Sequence, residues 1–345
     1  TLIIFDEIQA CPSALTSLKY FQESNKQYDI IAAGSLLGVS LHMNQSFPVG
    51  KVEFMELFPF SFNEFLLAMG QEDLLGIINR KEKGMIEVFK DKYVVLLKQY
   101  YFIGGMPEAV NSFREDKDFL KVREIQVSIL YSYEQDFSKH APYQLVPKLR
   151  LIWQSIVSQL GKENKKFTYS SLKKGARSKE YESALSWLSD AGLVYKIVRI
   201  NKPGVPLKSY EDSNDFKLYV HDVGLLCAMA EIAPTVILGE DDLFKEFKGS
   251  LTEQFVLQQL KSKGVQPNYW TTEGSQAEVD FIIQKGSEVI PIEVKAAENL
   301  KSKSLKIYYE KFHPNFCYRF SMSNYREQDW MINIPLYAIE LASYS

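Results

Sequence analysis

Cysteine and histidine are scarce in this chain. Cys11, Cys227 and Cys317 lie far apart, and His42, His140, His221 and His313 are equally scattered. Neither a disulfide framework nor the clustered spacing of a zinc site is present, so the thiols read as ordinary ones in a reducing compartment. No apolar run approaches the roughly 20 residues that a membrane helix needs. No signal-like segment precedes the first apolar strand, so the expected location is cytoplasmic, with no membrane contact. A further absence bears directly on function. No Gly-x-x-x-x-Gly-Lys-Ser/Thr occurs, so the backbone cradle and lysine that hold nucleotide phosphates are missing. No internal repeat is found.

What remains is a chain of 345 residues, 46% hydrophobic, which suffices for two or three domains with real cores. The net charge of −3 conceals a strong asymmetry. Residues 145–209 carry thirteen Lys or Arg against four Asp or Glu, about +9, and this is the strongest nucleic-acid signal in the chain. Apolar spacing there predicts a helix through Ile152, Trp153, Ile156 and Val157, a short helix near Tyr169 to Lys174, a helix from Lys179 to Ala191, and a strand Val194–Val198. The order reads as a winged helix-turn-helix, with Lys173, Lys174, Arg177 and Lys179 as the expected nucleic-acid-binding residues and DNA as the expected partner. The competing reading is a winged helix that docks a protein partner, its lysines merely solvated. Upstream, residues from about Asn63 to Lys139 read as helical, interrupted by the turn Gly104-Gly-Met-Pro107. Downstream, Glu211–Glu246 is acidic, with nine Asp or Glu, and reads as a link between modules. Within it Gly239-Glu-Asp-Asp242 reads as a solvated loop.

The chemistry concentrates near the carboxyl end. Ala277-Glu-Val-Asp-Phe-Ile-Ile and Ile290-Pro-Ile-Glu-Val-Lys-Ala read as strands meeting at Lys285-Gly286-Ser287, a predicted hairpin. A turn centred on Lys285-Gly286 puts Asp280 opposite Pro291, and one centred on Gly286-Ser287 puts it opposite Glu293. Either register leaves Asp280, Glu293 and Lys295 on one face, whereas a three-residue loop would send Asp280 to the other. Glu253 is expected from a preceding helix, since Phe255, Val256, Leu257 and Leu260 recur at helical spacing. Carboxylates on an apolar hairpin are costly to bury unpaired, and a hard cation with oxygen ligands, Mg2+ or Mn2+, offsets that cost. Such an ion activates water and stabilises a phosphoryl group, and a neighbouring ammonium assists; phosphodiester hydrolysis is the matching chemistry. The bare Glu-x-Lys spacing also occurs at Glu115, Glu163 and Glu246, and an edge hairpin with solvated charges is the alternative. Tyr308, Tyr309, Phe312 and Phe320 read as core rather than as base-stacking residues, and Trp330 to Ile339 as a last strand.

Glu253-Gln-Phe-Val, Tyr269-Trp, Ala277-Glu-Val-Asp-Phe and Pro291-Ile-Glu-Val-Lys resemble the C-terminal domain of a widespread prokaryotic family of AAA-type ATPases, a domain of the PD-(D/E)XK nuclease-like class. That resemblance implies Glu253, Asp280 and Glu293 as metal ligands and Lys295 as the catalytic lysine. At the amino end, Leu2-Ile-Ile-Phe-Asp6-Glu7 is an apolar strand closed by two carboxylates. It resembles a Walker B strand, which implies Asp6 on magnesium and a catalytic Glu7 polarising the water that attacks ATP. Asp29-Ile-Ile-Ala-Ala-Gly-Ser35 resembles a sensor 1 strand, with Ser35 facing the nucleotide. Pro48-Val-Gly-Lys51 to Glu56–Phe65 resembles the last core strand and the lid entry. Lys51 stands where many relatives have arginine, and as a point charge it reads as a surface lysine.

The expected fold is therefore α/β and α+β multidomain: a partial P-loop AAA-type core at 1–62, a helical lid at 63–144, a winged helix-turn-helix at 145–210, an acidic linker at 211–248 and a PD-(D/E)XK nuclease-like α/β domain at 249–345. Opening on Thr1 inside what should be the third strand of the ATPase sheet, the chain reads as N-terminally truncated. ATP is expected to bind the complete protein and to bind this chain weakly or not at all. The leading expectation is an ATPase-family DNA-binding protein with Mg2+-dependent deoxyribonuclease potential, able to form a homo-oligomer. The competing expectations are a non-catalytic DNA-gripping protein with an inactive nuclease fold, and an ATP-driven switch that docks a partner protein.

Overall fold

In the computed structural model, residues 1–24, 27–41, 50–239, 245–272, 274, 276–298 and 302–343 are described. His42, Pro48, Val49 and the Glu240-Asp-Asp242 loop, named above, lie outside them. The architecture is mixed α/β, built on a small amino-terminal unit, a helical body and one large sheet.

The amino-terminal strands β1 (Leu2–Phe5) and β2 (Asp29–Ala32) pair in parallel, with Leu2 opposite Asp29 and Phe5 opposite Ala32. Parallel pairing needs a crossover, and helix Pro12–Ser24 supplies it. Ile8, Leu15 and Leu18 form a small separate core here, while Leu2, Ile4 and Ile31 are exposed.

Helices Phe62–Ala68, Glu72–Asn79, Lys83–Val88, Lys90–Ile103, Pro107–Asp116 and Phe119–His140 follow. Ser61 and Glu64 form a capping box at the start of the first. Gly104, at φ 75°, ends the fourth, and Pro107 opens the fifth at a position where its missing N–H is harmless. Helices Val146–Leu160 and Ser178–Asp190, with the short turn Tyr169–Ser171 between them, lead into the hairpin of β3 (Val194–Ile200) and β4 (Glu211–Val220).

The eight-stranded sheet runs β4-β3-β5-β6-β7-β8-β10-β9, with β5 at Asn268–Thr271, β6 at Glu278–Lys285, β7 at Glu288–Val294, β8 at Cys317–Ser321, β9 at Arg326–Glu327 and β10 at Met331–Pro335. Its continuity bears on the expected division of the chain. β3 pairs in parallel with β5 through Arg199 opposite Tyr269, so the hairpin at 194–220 belongs to the same sheet as the carboxyl-terminal strands. Residues 211–220, expected as the start of a linker, form an edge strand whose last six residues are buried. Helix Val223–Met229 behind it is buried too. The acidic count misled because Asp215 and Asp222 are inside the protein rather than on its surface. At the far end, Met331–Pro335 is a strand, but Leu336–Leu341 turns into a 3-10 stretch. Trp270, Tyr308 and Phe312 pack edge to face or tilted, and Phe320 is fully buried, as core aromatics.

Helix Lys245–Ser262 passes through the middle of the body. Residues from Ser250 to Leu260 are buried on every side of it, the pattern of a central helix rather than an amphipathic surface one.

Candidate functional site

The turn of the β6–β7 hairpin decides the geometry. Phe281 pairs with Ile292, Ile282 with Pro291 and Lys285 with Glu288, so the turn centres on Gly286-Ser287, with Gly286 at φ 58° where a side chain would be strained. Continuing that register by one residue puts Asp280 opposite Glu293, the second of the two registers expected from the sequence. The Val294 N–H donates to Asp280 Oδ2 at 2.7 Å. Lys295 Nζ lies 3.0 Å from Glu293 Oε1, and Glu293 Oε2 is buried with no hydrogen-bond partner among the described residues. Asp280, Glu293 and Lys295 are thus brought together.

Glu253 reaches the same region from helix Lys245–Ser262, but with its oxygens already engaged. Lys165 forms an ion pair with Oε1. The Tyr219 hydroxyl donates to Oε2 at 3.0 Å, and Lys217 Nζ lies 3.8 Å from the same atom. Lys217 is fully buried and also pairs with Glu278. Among the described residues, no group of three or more His, Cys, Asp or Glu side chains is arranged to hold a metal ion. Glu253, Asp280 and Glu293 therefore do not fit a three-carboxylate metal centre as they stand, and the Glu253 oxygens are engaged by lysine nitrogens and a tyrosine hydroxyl instead.

The electrostatics follow from this arrangement. Burial alone would raise the Glu253 carboxyl, yet Lys165 and Lys217 outweigh it and hold the group at about 2. Asp280, buried and beside Glu253, is pushed up to about 8 against the pull of Lys217 and Lys165. For Lys217 burial works against the charge, but Glu278, Glu253 and Asp280 raise it well above the ordinary lysine value. Lys295 shows the same balance, burial opposed by Glu293 and Asp280 with the carboxylates prevailing.

Lys165, Lys217, Tyr219 and Glu278 escaped the sequence reading. One signal was available: Lys217 interrupts the apolar run Phe216–Val220, and a charge inside a buried strand demands a partner. Lys165 offered none, for its partner is 88 residues away.

The basic segment is partly consumed in the same way. Lys165 goes to Glu253, while Lys166 and Arg199 both pair with Asp215, at 2.6 Å and 3.3 Å. Lys173, Lys174, Arg177 and Lys179 are all exposed around the start of helix Ser178–Asp190. Gly175 between them has φ 81°, where a β-carbon would be strained.

At the amino end, Glu7 sits in the left-handed region at φ 48° and its N–H donates to Asp6 Oδ1 at 3.0 Å. Gln9 Nε2 donates to Glu7 Oε2 at 2.6 Å, and Ser35 Oγ to Glu7 Oε1 at 3.4 Å. The two strand ends therefore deliver Glu7 and Ser35 to one place, with Gln9 as a member not foreseen. Asp6, Glu7 and Ser35 are exposed, and these residues fit the acidic half of a nucleotide site. A groove of about 610 Å3 lies elsewhere on this unit, lined by Leu15, Leu18, Phe21, Ile30 and residues 51–55. Lys51 is 3.8 Å from Glu23 at the surface.

Residues 1–66 match the model of an AAA domain. This segment is similar to that of AAA-type ATPases. Residues 95–236 match a domain of unknown function (DUF8612), and residues 248–339 another domain of unknown function (DUF4143). Among solved structures, the Walker-type ATPase paby2304 of Pyrococcus abyssi matches at 15% identity with a TM-score of 0.41, over 66% of this chain and 63% of that one. The chain thus spans less than two thirds of that protein. No curated protein matches significantly. Among the described residues no helix is long and apolar enough to cross a membrane.

Proposed function

We propose that this is an ATPase-family protein that binds DNA through a winged helix-turn-helix at 145–220, and that its PD-(D/E)XK nuclease-like carboxyl-terminal domain grips rather than cuts. The observation that carries the reading is the exposed set Lys173, Lys174, Arg177 and Lys179 at the entry of helix Ser178–Asp190, the element that would enter a groove while the β3–β4 hairpin serves as the wing. Ammonium and guanidinium groups held over phosphates give salt-sensitive, weakly sequence-specific binding. The non-cutting part rests on Glu253, whose carboxylate is spent on Lys165 and Tyr219. Asp6, Glu7 and Ser35 are the residues that would meet ATP and its magnesium, supplying the acid side of phosphoryl chemistry.

The test is fluorescence anisotropy of labelled duplex DNA across a salt series, for the natural chain and for one with alanine at 173, 174, 177 and 179. The slope of log affinity against log salt should fall by roughly 0.9 for each phosphate contact removed. Unchanged affinity would end the assignment of these four residues, and no salt-sensitive binding at all would move the winged helix to a protein-docking role.

Metal-dependent cleavage is the second reading, favoured by Glu293 Oε2, buried and unpartnered beside Lys295 and Asp280. Incubating single-stranded, double-stranded and branched DNA with Mg2+ or Mn2+, beside Asp280→Ala and Lys295→Ala, separates the two. Cleavage lost in both variants would replace the gripping reading.

A further inference from the structure

The strand ends that carry Glu7 and Ser35 and the helix that follows the four exposed cations are joined by a stretch of only a few residues. Ala33 is fixed at its start: its N–H donates to the Phe5 carbonyl at 2.8 Å, and its own carbonyl accepts from Ile8 N at 3.0 Å. A β-carbon on Gly34 would lie 2.0 Å from Gln9 Oε1, and the Nε2 of the same amide holds Glu7. Ser35 comes next, its hydroxyl directed at Glu7. Leu36 follows at once and is buried in the large core, as is Val39 in helix Leu37–Leu41. No residue intervenes between the hydroxyl at the strand end and a side chain anchored in the body.

Gly38 completes the connection. A β-carbon there would lie 2.2 Å from the Asp190 carbonyl oxygen and 3.2 Å from its carbon, and this neighbour is backbone, which cannot rotate aside as the Gln9 amide can. Asp190 is the last residue of helix Ser178–Asp190, and Lys173, Lys174, Arg177 and Lys179 stand exposed around the start of that helix. The helix is buried along Tyr181, Ala184, Leu185 and Leu188. Thirteen residues of α-helix form a rod about 20 Å long, so a displacement at its cationic end is felt at Asp190, where Gly38 leaves no slack.

We propose that helix Leu37–Leu41 is a lever between the two regions: the arrangement of Glu7 and Ser35 sets how the far end of helix Ser178–Asp190 is seated, and DNA held by the four cations is sensed at Ser35 in return. The lever rests on the DNA-binding reading above and adds its regulation. Its bistable element is the docking of residues 33–39 against Asp190. The small core behind it holds Ile8, Leu15 and Leu18, so loosening costs little, and a ligand that prefers one seating shifts the population toward it. Coupling between two sites is reciprocal, which lets DNA alone reveal it.

The test is amide hydrogen exchange of the full chain with and without saturating duplex DNA of mixed sequence. Exchange at residues 33–39 should slow by at least about fivefold on binding, and the effect should vanish in the chain with alanine at 173, 174, 177 and 179. Gly38→Ala, which pushes the helix off Asp190, should abolish the slowing and weaken DNA binding by about the same factor, with the salt slope unchanged because the phosphate contacts are intact. Val39→Ala, which loosens the same helix from the large core without crowding Asp190, should do likewise and decides the matter if Gly38→Ala fails to fold. DNA binding through the four cations with no change at residues 33–39 would overturn the lever and leave the DNA-binding reading standing. Slowing that survives both folded variants would overturn it too, since DNA would then be meeting the amino-terminal unit directly. Absence of salt-sensitive DNA binding would remove the DNA-binding reading, and the lever with it.

Discussion

Lys217 has no exposed side-chain surface and faces two carboxylates, Glu278 and Glu253. A buried pair can be neutral overall, but removing one partner leaves an uncompensated charge inside, at a cost of about 3–5 kcal/mol. Lys217→Met should therefore destabilise the chain by that order at neutral pH. The loss should shrink in acid, because a protonated carboxyl no longer needs the cation. Glu253 sets the window. Its folded value near 2 lies below the ordinary 4.5, so the stability it lends is present above pH 4.5 and disappears as pH falls through about 2. Asp280 acts in the opposite direction: raised to about 8, its preference for the proton stabilises the fold below its ordinary value and is lost as pH rises through 8. Urea unfolding at a series of pH values checks both, and a Lys217→Met penalty that stays constant down to pH 2 would contradict the ion-pair account. At this scale local patterns were readable and distant partners were not. Asp280, Glu293 and Lys295 could be grouped because a hairpin turn fixes them within sixteen residues, whereas Lys165 and Lys217 find Glu253 across long loops that no spacing rule follows.

Helix Lys245–Ser262 carries Glu253 toward the carboxylate cluster and, one to two turns later, Gln258 and Gln259 toward the helical body. Gln259 Oε1 accepts from Phe62 N at 2.8 Å, and Gln258 Oε1 from Val223 N at 2.9 Å. Gln258 Nε2 donates to Asp222 Oδ2, which also accepts from Gly105 N at 2.7 Å. Here the Gly104-Gly105 turn acquires its reason. A β-carbon on Gly105 would lie 2.2 Å from the Phe60 carbonyl oxygen, and one on Gly104 as close to Asp222 Oδ1, so only glycine lets the two backbones and the carboxylate meet. The turn was legible as a helix break; its contact with Asp222, 117 residues on, was not. Nor could Gln254, Gln258 and Gln259 be read as buried, because polar residues count as surface until their partners are known. Gln259→Ala should leave Phe62 N unsatisfied at about 1–3 kcal/mol. Hydrogen exchange should then quicken at residues 60–66 while amides of β6 and β7 stay protected, and uniform acceleration would argue against a local joint.

Stability across the whole molecule is uneven because its cores are. One large core joins the helical body, helix Lys245–Ser262 and one face of the eight-stranded sheet, and a second lies on the other face around Trp270 and Tyr308. The β3–β5 pairing carries that sheet through segments whose compositions, one basic and one acidic, suggested separate modules. Charge reports on solubility and partners rather than on fold, so composition divided what hydrogen bonding unites. The amino-terminal unit stands differently. Its core is Ile8, Leu15 and Leu18, its sheet has two strands, and Leu2, Ile4 and Ile31 face solvent. Its described attachment to the body runs through Leu36 and helix Leu37–Leu41, where Leu36 and, in the helix, Val39 join the large core and Gly38 lies against the Asp190 carbonyl. The two strands and three core side chains found among the described residues cannot offset the ordering of some forty residues at about 1–2 kcal/mol each, so this unit belongs at the low end of the stability range. Limited proteolysis of this chain should cut first within residues 1–41 and leave a resistant fragment that retains β3 to β10. Its urea midpoint should stay close to that of the intact chain, since the large core loses little beyond Leu36 and Val39. A fragment that unfolds on losing residues 1–41 would show instead that the small unit is an integral buttress of the body.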